Sequence, residues 1–230
     1  GVENYTPDKP VGDVIALADH FGIGEFALAG HDWGGAIAWM AALNRPDRVD
    51  RLIIANAPHP YLMQRSLIED ADQRLASQYI TAFRNPDFEK FIERIGLGGF
   101  IDKSFANHVD PEKLAEEREA YLKDWAQPGA MTAMLNWYRA SSIVVPAPGE
   151  DAPRPAFLDE PFPPVTQPTL VIWGMEDKAL LPVQLKDLDK LVPILTLVEI
   201  PDGGHFVTWG KPRKVAKAMV EWLNPAKPKG

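Results

Sequence analysis

An α/β fold, with a mostly parallel sheet covered by helices on both faces, is predicted by three features of the 230-residue sequence. Short apolar runs alternate with helical periodicity in the first 56 residues and again from residue 169 onward. The region between has helical but no strand-like periodicity, so it reads as a helical insertion. A proline-rich stretch, holding eight of the chain's 22 prolines between Pro146 and Pro168, then returns the chain to the core.

Val11, Val14, Ile15 and Ala18 share one helical face, and Gly22 follows as a stop. Phe26 to Ala29 is a short apolar run expected to be a buried strand. A second helix is predicted from about Gly35 to Leu43, where small alanines permit close packing on a sheet and Asn44-Arg45-Pro46 ends it. Arg51 to Ala55 gives the next strand, and strand, helix, strand in this order implies parallel pairing with right-handed crossovers. After the insertion, Thr169 to Trp173 reads as a strand, Val183 to Leu191 as a helix, Leu195 to Ile200 as a strand, and Pro212 to Leu223 as the last helix. The expected organisation is therefore core at 1–56, helical lid at 57–146, return linker at 147–168 and core again at 169–230.

Composition narrows the functions available. With 46% hydrophobic residues the chain can bury a large core, and a net charge of −8 offers no basic patch for nucleic acid or an anionic membrane. No cysteine occurs, which removes disulfides, thiolate nucleophiles and Cys-based metal sites and suits a cytoplasmic location. No apolar run reaches the roughly 20 residues of a membrane-spanning helix, and the first residues show no signal-peptide pattern. Neither a metal-ligand spacing nor a glycine-rich phosphate loop is present, so no cofactor is expected. A small neutral substrate is the expected partner, and self-association is left open.

The chemistry centres on Gly30-His31-Asp32-Trp33-Gly34-Gly35, which lies between a predicted strand and a predicted helix. A sharp turn there needs small neighbours and lifts the central side chain above the sheet edge, the context of a nucleophile elbow with Asp in place of Ser. The plainer alternative is that Asp32 caps the following helix. A nucleophile in this position calls for an acid and then a histidine, each in a loop after a core strand. Asp177, in Gly174-Met175-Glu176-Asp177, and His205, in Gly203-Gly204-His205-Phe206, occupy those places.

These three segments resemble the epoxide hydrolase and haloalkane dehalogenase branch of the α/β-hydrolases, and the resemblance covers essentially the whole chain. It implies an α/β-hydrolase core with an inserted helical lid, and hydrolysis through an ester on Asp32 that His205, supported by Asp177, opens with water. Leu135-Asn136-Trp137-Tyr138-Arg139 resembles the lid segment carrying one ring-opening tyrosine, which places that role on Tyr138 and implies a small apolar epoxide as substrate. Tyr79, followed by Phe83 and Pro86, resembles the second such tyrosine. Trp33 is expected to supply a backbone N–H to the oxyanion hole. His31 should pack beneath the elbow, whereas His20, His59 and His108 have no partner pattern and read as structural or exposed.

The sequence departs from the family at one point. None of its five histidines is followed by Gly, so the upstream His-Gly-x-Pro turn that gives relatives a second oxyanion donor is absent. The expectation is an N-terminally incomplete copy, with an unpaired apolar edge on the strand at Phe26 to Ala29 that favours aggregation or a partner. Two rivals to epoxide opening stay in view: a dehalogenase using a lid tryptophan such as Trp125 or Trp137, and a ligand-binding protein that keeps the fold without catalysis.

Overall fold

The computed structural model describes residues 1–106 and 108–224. Helix α1 (Asp8–His20) buries Val11, Ile15 and Ala18, with Val14 at the edge of that face, and ends where Gly22 turns at positive φ. Strand β1 (Phe26–His31) and helix α2 (Trp33–Asn44) follow, the helix starting two residues before the position expected from its alanines. Strand β2 (Val49–Ala55) is buried along most of its length.

The insertion is all helical: α3 (Pro60–Glu69), α4 (Ala71–Ala76), α5 (Gln78–Arg84), α6 (Phe88–Ile95), α7 (Leu97–Phe105), α8 (Pro111–Trp125) and α9 (Ala130–Ala140). Several begin with local capping. The Asp70 carboxylate accepts from the Gln73 amide at 2.7 Å to start α4, and Asp110 accepts from the Glu112 amide at 2.9 Å to start α8, with Pro111 at its first position. The charged run from Glu112 to Glu119 falls on α8, which has no fully buried residue, the solvated face its composition implies. A linker with a single 3-10 turn, Ala156–Leu158, leads to β3 (Thr169–Gly174).

One expected element is corrected here. Val183 to Leu191 is not a continuous helix but a 3-10 turn, Pro182–Leu185, and a short helix α10 (Leu188–Leu191). Lys186 is extended and Asp187 sits in the left-handed region at φ 65, which breaks the hydrogen-bond ladder between them. Strand β4 (Leu195–Ile200), a short helix α11 (Val207–Gly210) unforeseen from the sequence, and α12 (Pro212–Leu223) complete the chain. Among the described residues no helix is long and apolar enough to cross a membrane.

The four strands pair in the order β1-β2-β3-β4, all parallel. Leu52, Ile54, Val171 and Trp173 face Val11, Ile37 and Trp39 of α1 and α2, while Ile53, Leu170 and Ile172 face Val207 and Val215 on the other side. Burial on both faces explains why β3 reads as a continuous apolar run rather than an alternating one. β1 lies at the sheet edge and pairs only with β2 among the described residues, in keeping with the unpaired edge inferred for it. A separate aromatic cluster, built on Ile92, Phe100 and Leu135, forms the core of the insertion.

Close backbone approach sets the turn after β1. A Cβ on Gly30 would collide with the carbonyl of Gly34, and one on Gly35 would collide with the Ala57 side chain, but Gly34 itself has open space. Gly30→Ala should therefore lower stability by about 2 kcal/mol or more, the order of a core overpacking. Gly34→Ala, at the start of α2, should leave stability unchanged or slightly raised. Thermal denaturation of the two variants checks this, and equal losses would contradict it.

Candidate active site

Each strand ends in a side chain that points into one site: Asp32 after β1, Asn56 after β2, Asp177 beyond β3 and His205 beyond β4. In an open parallel sheet this carboxyl edge is where loops converge and ligands bind. Asp32 is held at φ 50, a conformation that L residues rarely adopt and that persists only where surrounding structure enforces it. It stands at the N-cap of α2, yet its carboxylate makes no capping hydrogen bond. The capping alternative is thereby excluded. The side chain turns instead to His205, whose Nε2 lies 3.3 Å from Asp32 Oδ1.

The other imidazole nitrogen, Nδ1, lies 2.9 Å from Asp177 Oδ2. Asp177 is fully enclosed, and both of its oxygens are satisfied. Oδ1 accepts from the amides of Ala179 and Leu180 at 2.8 and 2.9 Å, and Oδ2 also accepts from the Asn56 amide group at 2.8 Å. Asn56, at φ 38, further accepts from the Gly174 amide at 2.8 Å. Sequence reading placed this residue only at the boundary of the insertion. Its signal was a short polar amide directly after a buried strand. The loops of β3 and β4 meet because a Cβ on Gly174 would come within 2.5 Å of the Gly204 carbonyl, a contact only glycine permits.

Burial by itself would push the His205 pKa down, but the hydrogen bonds to Asp177 and Asp32 outweigh it and raise it to about 10. Enclosure acts on Asp32 in the opposite sense, favouring its neutral form, and again the contact with His205 prevails, holding this carboxyl below its usual range. The geometry thus places the imidazole between two carboxyl groups, an arrangement that favours its charged form. His31 packs against this ring with centroids 5.1 Å apart, and its Nε2 lies 2.8 Å from the His205 carbonyl oxygen, which places it beneath the elbow as expected.

Above Asp32 opens a cavity of about 710 Å³ whose walls include Trp33, Tyr79, Tyr138, Trp125, Trp137 and a series of phenylalanines. The two expected tyrosines come together: their rings are 5.9 Å apart, edge to face, and Tyr138 also meets Trp33 edge-on at 5.2 Å. Burial chiefly raises the pKa of both phenols; at Tyr79 the neighbouring Tyr138 and then the charge of Asp32 add to it, and at Tyr138 the charge of Asp32 adds while the Trp33 side chain offsets part of the rise. Both therefore stay protonated and able to donate at any moderate pH.

Two residues need reassignment. His108 is not simply structural or exposed: it lines the cavity, with its ring 5.9 Å from that of His205. Gln73 went unnoticed in the sequence. Fully buried on α4, it donates to the Ala179 carbonyl at 2.8 Å and accepts from the Leu181 amide at 2.8 Å, fastening the insertion to the loop that holds Asp177. No local pattern marks it, because its partners lie more than 100 positions away. His59 is structural as read, buried with its Nδ1 accepting from the Tyr61 amide at the start of α3, and His20 is exposed.

A family model described as the alpha/beta hydrolase fold matches residues 11–212. This chain belongs to the α/β-hydrolase fold family. Within the family its similarity is to epoxide hydrolases. A solved structure from work on novel epoxide hydrolases in metagenomes from hot environments superposes with a TM-score of 0.84 at 45% identity, covering 97% of this chain and 76% of that one. An epoxide hydrolase from Bacillus megaterium, in complex with an inhibitor, gives 0.82 at 28% identity, with 97% and 78% covered. Among curated relatives, the AB hydrolase superfamily protein YfhM of Bacillus subtilis is 34% identical over 97% of this α/β-hydrolase and 74% of its own length. Epoxide hydrolase 4 of Homo sapiens is 29% identical over 96% and 59%.

A titration follows from the geometry. An imidazole raised from 6.5 in the unfolded chain to about 10 in the fold contributes stability in full below pH 6.5, and loses it as pH rises toward 10. Asp32→Asn removes one of the two carboxylates, so the folded-state His205 pKa should fall, and the alkaline loss should still begin near pH 6.5 but end at lower pH and be smaller in total. NMR titration of the imidazole, with denaturant stability measured at each pH, reads both. An unchanged His205 pKa in Asp32→Asn would contradict the pairing.

Proposed function

We propose that this α/β-hydrolase opens an epoxide to a vicinal diol through a covalent ester on Asp32. One observation carries the reading: a carboxylate with no capping role, paired to an imidazole, faces the same cavity as two protonated phenols. Attack on a saturated carbon by a hydroxyl would leave an ether that an imidazole and water cannot cleave, whereas a carboxylate leaves an ester that they can.

In the first step an Asp32 oxygen bonds to an epoxide carbon and the carbon–oxygen bond breaks, with a proton from Tyr138 or Tyr79 neutralising the alkoxide. Consuming the Asp32 charge removes part of what holds His205 protonated, so the imidazolium becomes acidic and its proton can restore the tyrosine. Neutral His205 then takes a proton from water, the hydroxide adds to the ester carbonyl, and the Trp33 N–H supports the oxyanion. Collapse releases the diol and regenerates both the carboxylate and the imidazolium. Residues 57–146 serve as the lid that supplies the phenols and the apolar wall, which suits an aryl or otherwise bulky apolar epoxide.

A second reading has one observation in its favour. Trp125 and Trp137 also line the cavity, and two indole N–H groups are the donors a departing halide would use. Incubation of His205→Gln with a styrene-type oxide separates the alternatives. The expected result is an intact-mass increase equal to the epoxide, located on Asp32, with turnover reduced by about 10³-fold or more. No adduct from the oxide, together with halide release from a haloalkane by the unmodified chain, would favour the dehalogenase. Binding of either compound without adduct or product would favour a non-catalytic role.

A further inference from the structure

Arg84 is the last residue of α5, the helix that carries Tyr79, and it reaches across to the end of α9, the helix that carries Tyr138. Its Nε donates to the carbonyl of Tyr138 itself at 3.0 Å, and Nη2 donates to the carbonyls of Ser141 and Ile143 at 2.8 and 2.9 Å. The Tyr138 carbonyl is among the last four of α9, which have no N–H partner within the helix, and a cation there is also favoured by the helix dipole.

We propose that Arg84 is a positioning residue that sets the register of the two phenols over Asp32. The inference rests on the reading of Tyr79 and Tyr138 as proton donors to the ring oxygen. Apart from these bonds, the contact between the two helices near the site is aromatic: Tyr79 and Phe83 of α5 pack on Tyr138 of α9 with ring centroids 5.9 and 4.9 Å away. Aromatic packing is weakly directional and permits sliding. One residue of slip along a helix is 1.5 Å, and an error of about 1 Å in a reacting group costs on the order of a hundredfold in rate. A planar guanidinium with three fixed partners removes that freedom by tying the backbone of one phenol to the helix of the other.

A second arginine clarifies what is particular to Arg84. Arg139 binds Glu89 of α6 through both terminal nitrogens and donates to the Asn85 carbonyl at 3.1 Å, so it secures the outer side of α9. It holds α9 in place without touching the backbone of either tyrosine. Among the described residues, Arg84 is the one on α5 whose side chain hydrogen-bonds to the backbone of the tyrosine on α9.

Stopped-flow measurement of Asp32 alkylation and of ester hydrolysis, made separately on the whole chain with a styrene-type oxide, tests this. In Arg84→Gln the alkylation rate should fall by about 10- to 100-fold, while hydrolysis of the ester, which needs His205 and Asp177 but neither phenol, stays within about twofold. Arg84→Lys, keeping one donor, should recover part of the loss. It also carries the test if the Gln variant does not fold. An epoxide whose alkoxide is stabilised by electron-withdrawing groups should lose less in both variants. Equal slowing of the two steps in a folded variant would reduce Arg84 to a structural role and overturn the proposal, as would unchanged alkylation. Absence of any adduct in the unmodified chain would instead remove the epoxide reading, and the proposal with it.

Discussion

The imidazole of His205 sits between two carboxylates, and this arrangement sets most of what surrounds it. A ring whose Nδ1 and Nε2 both face acidic oxygens is favoured as a cation over a free base. To hold three such groups in line, the loops after β1, β3 and β4 must converge closely. Glycine at 174 and 203 lets the loops after β3 and β4 come that near, and Gly30 lets the turn after β1 close tightly on Gly34 and Gly35. The enclosed Asp177, with four hydrogen bonds to its two oxygens, is the fixed end of the array, while Asp32, 34% exposed at the cavity floor, is the end that can react.

In the mechanism we propose, that asymmetry sets the order of chemical events: ionised Asp32 would serve as nucleophile while its charge keeps His205 from acting as a base, and esterification would remove that charge and release the imidazole, still oriented by Asp177, for the second step. The helical insertion contributes two phenols whose pKa values are raised by burial and by nearby negative charge, so both stay protonated at moderate pH. Gln73 ties the insertion to the acid loop, and Arg84 bonds across the two tyrosine helices within the insertion.

Much of the architecture was legible in the sequence because burial writes itself locally. β4 and α12 fall on the residues expected of them, and β3 extends only one residue beyond its apolar run, since a strand covered on both faces leaves a continuous apolar run and a helix with one apolar stripe leaves a clear periodicity. The three charged groups of the core were recognisable for a related reason. Each follows a strand in a glycine-rich turn, and the order acid then histidine is itself informative. What stayed hidden depends on distant contacts or on single backbone torsions. Nothing around Gln73 announces Leu181, and nothing around Arg84 announces the carbonyl of Tyr138. The break at Asp187 turns on one left-handed residue inside an otherwise helical pattern. His108 gave no sign of reaching the cavity because the path of the insertion, not its own neighbours in sequence, brings it there. Nor was the steric role of the elbow glycines assigned correctly in full: Gly30 and Gly35 are required, whereas Gly34 is free of contacts.

The central claim is that an oxygen of Asp32 becomes bonded to substrate carbon before water takes part. A single turnover in water enriched with heavy oxygen, with enzyme in excess over a styrene-type oxide, tests it most directly. The account predicts a first-turnover diol free of the label and one heavy oxygen in the peptide that contains Asp32. A diol carrying the solvent label, with Asp32 unlabelled, would contradict it.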